Sequence, residues 1–301
     1  MSHDPNNPVE LSGEERALIV ERKAACPFIG SAVAEGRLPV RNSAGDPLAS
    51  VEDVRRLGNT GGGSTLGEVL MLFANGNHAF MRGDSEKLDR RVSDGLFSLE
   101  FPGSQGSHPG HSGILEGDPA ALGSGRLSEA DFARLTSRAK DGWIRRSDVG
   151  RFIAENLVRD EKSKVLGKST ALLLAGDFGE VVKTGFLAFL GKIFGSRKDS
   201  GATHRDVQQK FTKLTGEDNL VGSAGEFGLL FAFLANRPGA SEVEKREGEP
   251  AVSVQDLKEM FINKHLPDGW ETWKKTRLDW VTSTNHLIES ARKEYKALKR
   301  G

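Results

Sequence analysis

A single cysteine, Cys26, stands directly before a proline and a short apolar run, Phe28-Ile29-Gly30-Ser31-Ala32-Val33-Ala34. Proline suits the first helical position, where its missing N–H would be unpaired anyway. Cys26 is therefore expected at the N-cap of a short helix that stops near Gly36. Free N–H groups and the positive end of the helix dipole would then face the sulfur and favour thiolate over thiol. A thiolate so held is a nucleophile, a metal ligand or an axial haem ligand; a small buried hydrophobe is the other reading. A second candidate is Glu226, a lone carboxylate at the expected start of an otherwise apolar helix, Gly222 to Asn236. Burial raises a carboxyl's pKa and suits it to proton transfer; the alternative is a helix N-terminus served by a negative charge. His108 and His111, near Glu116, lie in a Gly/Pro loop and lack the helical frame of the usual zinc motif.

The elements that must position these groups read as helices. Ser12 ahead of Glu14 and Glu15 predicts a helix start, and Ser50 caps a short helix over 51–57. Gly58 to Thr65 reads as a glycine-rich loop without the P-loop lysine or a preceding strand. Ser128 to Leu135 and Ser147 to Val158 read as helices, as does the long charged stretch 271–301. Residues 75–125 look irregular, Arg237 to Pro250 looks like an exposed loop, and no alternating strand pattern stands out. The expected fold is mainly α, a single domain of several helices with long loops. A disordered N-terminal tail over 1–12, a domain over 13–275 and a packed C-terminal helix over 276–301 make up the chain.

Ala25-Cys26-Pro27, the short helix and the exit Gly36-Arg37-Leu38-Pro39 resemble the proximal motif of the haem-thiolate peroxidases, the chloroperoxidase and unspecific peroxygenase family. Glu116-Gly117-Asp118 resembles the family's E-G-D, Gly225-Glu226-Phe227 its glutamate helix, and Leu266-Pro267-Asp268-Gly269-Trp270 its L-P-x-G-W phrase. The motifs keep the family's order across roughly residues 20–275. The resemblance implies a haem-thiolate peroxidase-like fold, haem b with Cys26 as axial ligand, and Glu226 as the distal acid–base. It also implies Mg²⁺ held beside a haem propionate by Glu116, with Ser128 as second ligand. The partners implied are H2O2 and a small apolar or aromatic organic substrate, which would be oxidised, oxygenated or halogenated; Phe227, Phe231 and Phe233 are candidates for its channel, plain core being the other reading. Two positions depart from the family pattern. Asn219 stands where long members carry an arginine, and Gly117 stands where short members carry a histidine. His108, His111 or Lys213 are the candidates for the missing partner of the distal acid.

The bulk composition narrows the rest. The 301 residues carry 42 basic and 42 acidic side chains, so no net field argues for nucleic acid or an anionic membrane. One cysteine excludes an internal disulfide framework. The polar N-terminus shows no secretory pattern, and a cytoplasmic location is expected. The most apolar stretch, 171–194, is interrupted by Asp177, Glu180, Lys183 and Lys192, so no membrane span is expected. A non-enzymatic alternative starts from Asp141-Gly142-Trp143-Ile144, which resembles the middle of an EF-hand loop, with Ser137, Ala139, Asp141 and Asp148 at ligand positions. Gly125-Arg126-Leu127 with Asp131 is a fainter copy, and a calcium-binding or scaffold protein would follow.

Overall fold

The computed structural model describes residues 8–23, 26–41, 47–67, 69–70, 78–80, 96–102, 114, 127–159, 219–234 and 236–300, and it is mainly helical. Helix α1 (Gly13–Lys23) opens on a reciprocal cap: the Glu15 N–H donates to Ser12 Oγ at 3.2 Å, and the Ser12 N–H donates to the Glu15 carboxylate at 2.8 Å. Helix α2 (Pro27–Ala34) has Cys26 at its N-cap and Pro27 at its first position, as the sequence predicts. Strand β1 (Leu48–Ser50) runs into α3 (Val51–Gly58), whose cap Ser50 accepts from the Glu52 N–H. Strands β2 (His78–Phe80) and β3 (Leu96–Pro102) precede α4 (Glu129–Thr136), β4 (Trp143–Arg145) and α5 (Arg146–Arg159). Helix α6 (Asn219–Leu234), α7 (Ala240–Glu247), β5 (Ala251–Ser253) and α8 (Val254–Lys258) follow. A π-helical turn (Glu259–Asn263), a 3-10 turn (Trp270–Thr272) and α9 (Arg277–Leu298) end the described chain.

Three sequence expectations change. Two small antiparallel sheets are present, one in the order β1-β3-β2 and one pairing β4 with β5. Most of their strands are three residues long, too short for an alternation to show. The stretch expected as an exposed loop after Arg237 contains α7, set between Gly239 and Gly248, both at positive φ. Its charged surface hides two inward apolar residues, Ala240 and Val243, three apart. Residues 8–12, expected to be a free tail, are pinned: the Val9 N–H donates to Val40 O at 2.8 Å, and Pro8 bridges Arg41.

Helix α9 is the spine of the core. It packs along both α5 and α6 and buries Trp280, Val281, Leu287 and Ala291. Gly150 on α5 lies directly on Ser290 and Ala291, and Gly228 on α6 lies on Thr284; a methyl group at either glycine would collide there. The Trp280 indole N–H donates to Gly225 O at 3.0 Å, fixing α9 against the turn of α6 that precedes Glu226. No helix among the described residues is long and apolar enough to cross a membrane, and 171–194 lies outside them.

Candidate functional site

Cys26 has extended backbone angles, φ −91° and ψ 120°, and its carbonyl accepts the first helical bond from the Gly30 N–H at 2.8 Å. The N–H groups of Ile29 and Phe28 point to the sulfur's side and pull its pKa down, without closing a capping hydrogen bond. Burial outweighs them, and the Glu226 carboxylate adds repulsion, so the thiol is pushed up to about 11. The expected stabilisation of the thiolate by the helix end is therefore overturned for the free side chain: desolvation is the larger effect.

Glu226 does not stand at a helix start. It sits seven residues into α6, about 10 Å from the helix N-terminus. Dipole stabilisation fades within the first turn, so it does not account for this carboxylate. The residue is half-buried on a helix otherwise apolar, close enough to Cys26 for its charge to act on the thiol. One turn earlier on the same face, Ser223 is fully buried and its hydroxyl has no hydrogen-bond partner.

Aromatic packing brings these distant segments together. Phe28 of α2 meets Phe233 of α6 at 4.6 Å between ring centroids. Trp270 closes the triangle at 5.7 Å from Phe28 and 5.8 Å from Phe233. Polar contacts reinforce it: Ser31 Oγ donates to Met260 O at 3.2 Å, and the Leu266 N–H donates to the Glu35 carboxylate at 2.7 Å. The cysteine helix, the glutamate helix and the Leu266–Trp270 phrase thus share one cluster. Glu35 is a tie that sequence reading missed; the signal was a carboxylate closing an apolar helix beside Arg37, with which it pairs at 2.6 Å. Phe227 packs edge-on against Phe152 at 6.1 Å, and Phe227, Phe231 and Phe233 are all core residues.

Lys275 is a second feature that sequence reading missed. It is wholly buried, and its ammonium donates to Trp270 O at 2.6 Å and Trp273 O at 2.7 Å, with the Trp270 ring 4.7 Å away. Burial lowers its pKa to about 8, although Glu271 opposes the shift.

The remaining predicted groups are distributed unevenly. Ser128 caps α4, its hydroxyl accepting from the Asp131 N–H at 3.3 Å, and its own N–H donates to Ile114 O at 2.9 Å. The chain just before Glu116 therefore abuts Ser128, while Glu116, Gly117, His108, His111 and Lys213 lie outside the described residues. Asn219 is the first residue of α6. Among the described residues no three His, Cys, Asp or Glu side chains cluster as a metal site. The donor chemistry at Cys26 suits a haem iron all the same: one soft sulfur at a helix N-terminus, flanked by N–H groups that favour negative charge. A metal-bound thiol loses its proton outright, so the high pKa of the free group is no obstacle.

The EF-hand-like segment has a different geometry from the one expected. Asp141 and Gly142 both have positive φ, 52° and 79°. Lys140 and Trp143 exchange both backbone bonds at 2.9 Å, the pattern of a tight type I′ hairpin turn rather than an open calcium loop. Strand β4 pairs with β5, Ile144 opposite Val252, so this unit is joined to α7-β5-α8; Gly125 and Arg126 of the fainter copy lie outside the described residues. The carboxylates facing this joint are held by protein groups. Asp148 binds the Arg145 guanidinium at 2.8 and 3.0 Å, and Asp141 lies 3.6 Å from Arg246. Glu247 lies 3.3 Å from Lys140, and Glu249 accepts from the Ser147 N–H at the start of α5 at 2.9 Å.

Comparison of the chain with family models, with curated proteins and with solved structures finds no match.

Proposed function

We propose that this chain is a haem-thiolate peroxidase or peroxygenase acting on a small apolar or aromatic organic substrate with H2O2. One observation carries the reading. Glu226 interrupts an apolar helix at mid-length, where no helix end explains it, and its charge reaches the thiol of Cys26, 200 positions earlier in the sequence. The convergence of Phe28, Phe233 and Trp270, from three of the segments that carry the resemblance, adds support.

Cys26 Sγ would hold the haem iron. When bound, the haem would supply peroxide activation, with thiolate donation favouring O–O cleavage. The N–H groups of Phe28 and Ile29 would balance the sulfur's charge. Glu226 would take the proton from one peroxide oxygen and return it to the other, through its carboxylate oxygens. Glu116 and Ser128 would hold Mg²⁺ through oxygen ligands, in keeping with the preference of that ion.

The test is an absorption spectrum of protein produced with haem precursor, reduced under CO, for wild type and Cys26→Ser. A strongly red-shifted Soret band lost in Cys26→Ser is expected, followed by loss of peroxide turnover in Glu226→Gln with the band retained. No haem uptake, or a spectrum indifferent to Cys26, overturns the reading. The non-enzymatic alternative keeps one specific support, the β4–β5 joint between two helix–strand–helix units. That joint favours a scaffold over a calcium sensor, because its carboxylates already have cationic or N–H partners.

A further inference from the structure

The pinned segment 8–11 and the extended segment 38–40 line a half-open cavity of about 380 Å³. Val9, Leu11, Leu38 and Val40 supply apolar lining. One cation faces it. Arg16 is half-buried, and its Nε and Nη2 donate to Leu11 O at 3.2 and 2.7 Å. Its Nη1 rests against the Cα of Gly36, so closely that a methyl group there would overlap it. Among the described residues no carboxylate comes within 4.0 Å of the guanidinium nitrogens. Glu10, also on the wall, is exposed and unpaired with it.

Arg134, Arg138 and Arg145 are half-buried and each bind a carboxylate, whereas Arg16, like Arg146, Arg277 and Arg292, is half-buried without an ion pair among the described residues; of these four it is Arg16 that lines the cavity. A ligand anion would form charge-assisted hydrogen bonds to the N–H groups of this guanidinium that Leu11 O does not take. The position of Arg16 is set before any ligand arrives, which spares the ordering cost of binding. We propose that this cavity binds a small monocarboxylate with an apolar body, the carboxylate on the free N–H groups of Arg16 and the body against Val9, Leu11, Leu38 and Val40. The size of the cavity lies in the lower part of the usual range for small-molecule sites. The site is separate from Cys26 and Glu226 and does not rest on the haem reading; neither residue lines it.

The test is isothermal titration of the full chain with sodium octanoate, octan-1-ol and octylamine. Octanoate is expected to bind one to one with a Kd of about 1 mM or tighter, in line with a ligand of about ten non-hydrogen atoms. Octanol is expected to bind at least about tenfold more weakly, and octylamine not measurably, since only the carboxylate forms charge-assisted bonds to Arg16. Arg16→Gln should weaken octanoate about tenfold or more. Because that variant also loses a tie to Leu11, Val9→Trp provides the second arm: it fills the cavity while keeping the backbone bond to Val40 and the Arg16 side chain. Loss of octanoate binding in Val9→Trp with an unchanged melting temperature supports the site. Equal affinity for octanoate and octanol, or wild-type octanoate binding in Val9→Trp, overturns it.

Discussion

Alkylation of Cys26 sets burial against the helix N-terminus. The thiol is raised from its ordinary 9.0 to about 11, so below pH 9 the thiolate fraction falls about a hundredfold. A thiolate of higher pKa is intrinsically more nucleophilic, with a Brønsted coefficient of about 0.4–0.5, which returns a factor of about eight. The net expectation is alkylation about tenfold slower than in the unfolded chain at pH 8, before any loss of access to the half-buried side chain. Rates with iodoacetamide, read by mass spectrometry between pH 7 and 10.5, in buffer and in 8 M urea (about the usual unfolding limit), measure this. In buffer the logarithm of the rate should climb by about one per pH unit past pH 9, whereas in urea it should bend near the ordinary thiol value. Glu226→Gln removes a repulsion and should move the native bend downward. A native bend at or below pH 8, with a rate matching or exceeding that in urea, would show that the N–H groups of Phe28 and Ile29 outweigh burial. A bend indifferent to Glu226→Gln would separate the two residues.

Other expectations test the surrounding structure. Lys275 has a folded pKa of about 8 against 10.5 unfolded, so between those values the unfolded chain holds the extra proton and stability should rise with pH, by up to about 3 kcal/mol. Urea midpoints at pH 7.5 and 10.5 should therefore diverge in wild type by more than in Lys275→Met; parallel shifts would refute the burial of a charged amine. Gly36→Ala places a side chain at φ +69° against Arg16 and should cost about 1–2 kcal/mol in urea unfolding, an unchanged midpoint counting against the contact. Calcium at 1 mM should leave the urea midpoint unmoved. A gain of about 2.7 kcal/mol, as a site with a Kd of a hundredth of that concentration would give, and its loss in Asp148→Asn, would restore the calcium-loop reading.

What was legible in the sequence was local. Cys26 before Pro27, Ser12 with Glu15, Ser50 and Ser128 each satisfy helix-end N–H groups within a few residues, or mark the place where a helix begins, and each stands where it was expected. Glu226 was placed on the right helix but at the wrong depth. The helix was expected over Gly222 to Asn236 with Glu226 at its start, whereas α6 begins at Asn219 and holds Gly222, Ser223 and Gly225 in its interior. Tertiary contacts override their weak helix preference: Gly225 O accepts from Trp280, and Gly228 leaves room for Thr284. The β4–β5 pair was invisible for a related reason, since each strand is three residues long and its partner lies more than a hundred positions away. The aromatic triangle likewise depends on three remote segments, so the shared cluster could only be inferred from motif order.

The β4–β5 pairing also shapes how the chain matures on the ribosome. Arg145 emerges 106 residues before its partner Ala251, a delay of roughly 5–20 s at ordinary elongation rates. Helix α9, against which both α5 and α6 bury their inner faces, emerges later still. Val149, Phe152, Ile153 and Leu157 therefore leave the exit tunnel with their final cover not yet made. During that interval the nascent chain presents an apolar face of α5 to solvent, and it is there that a holding chaperone would find its grip.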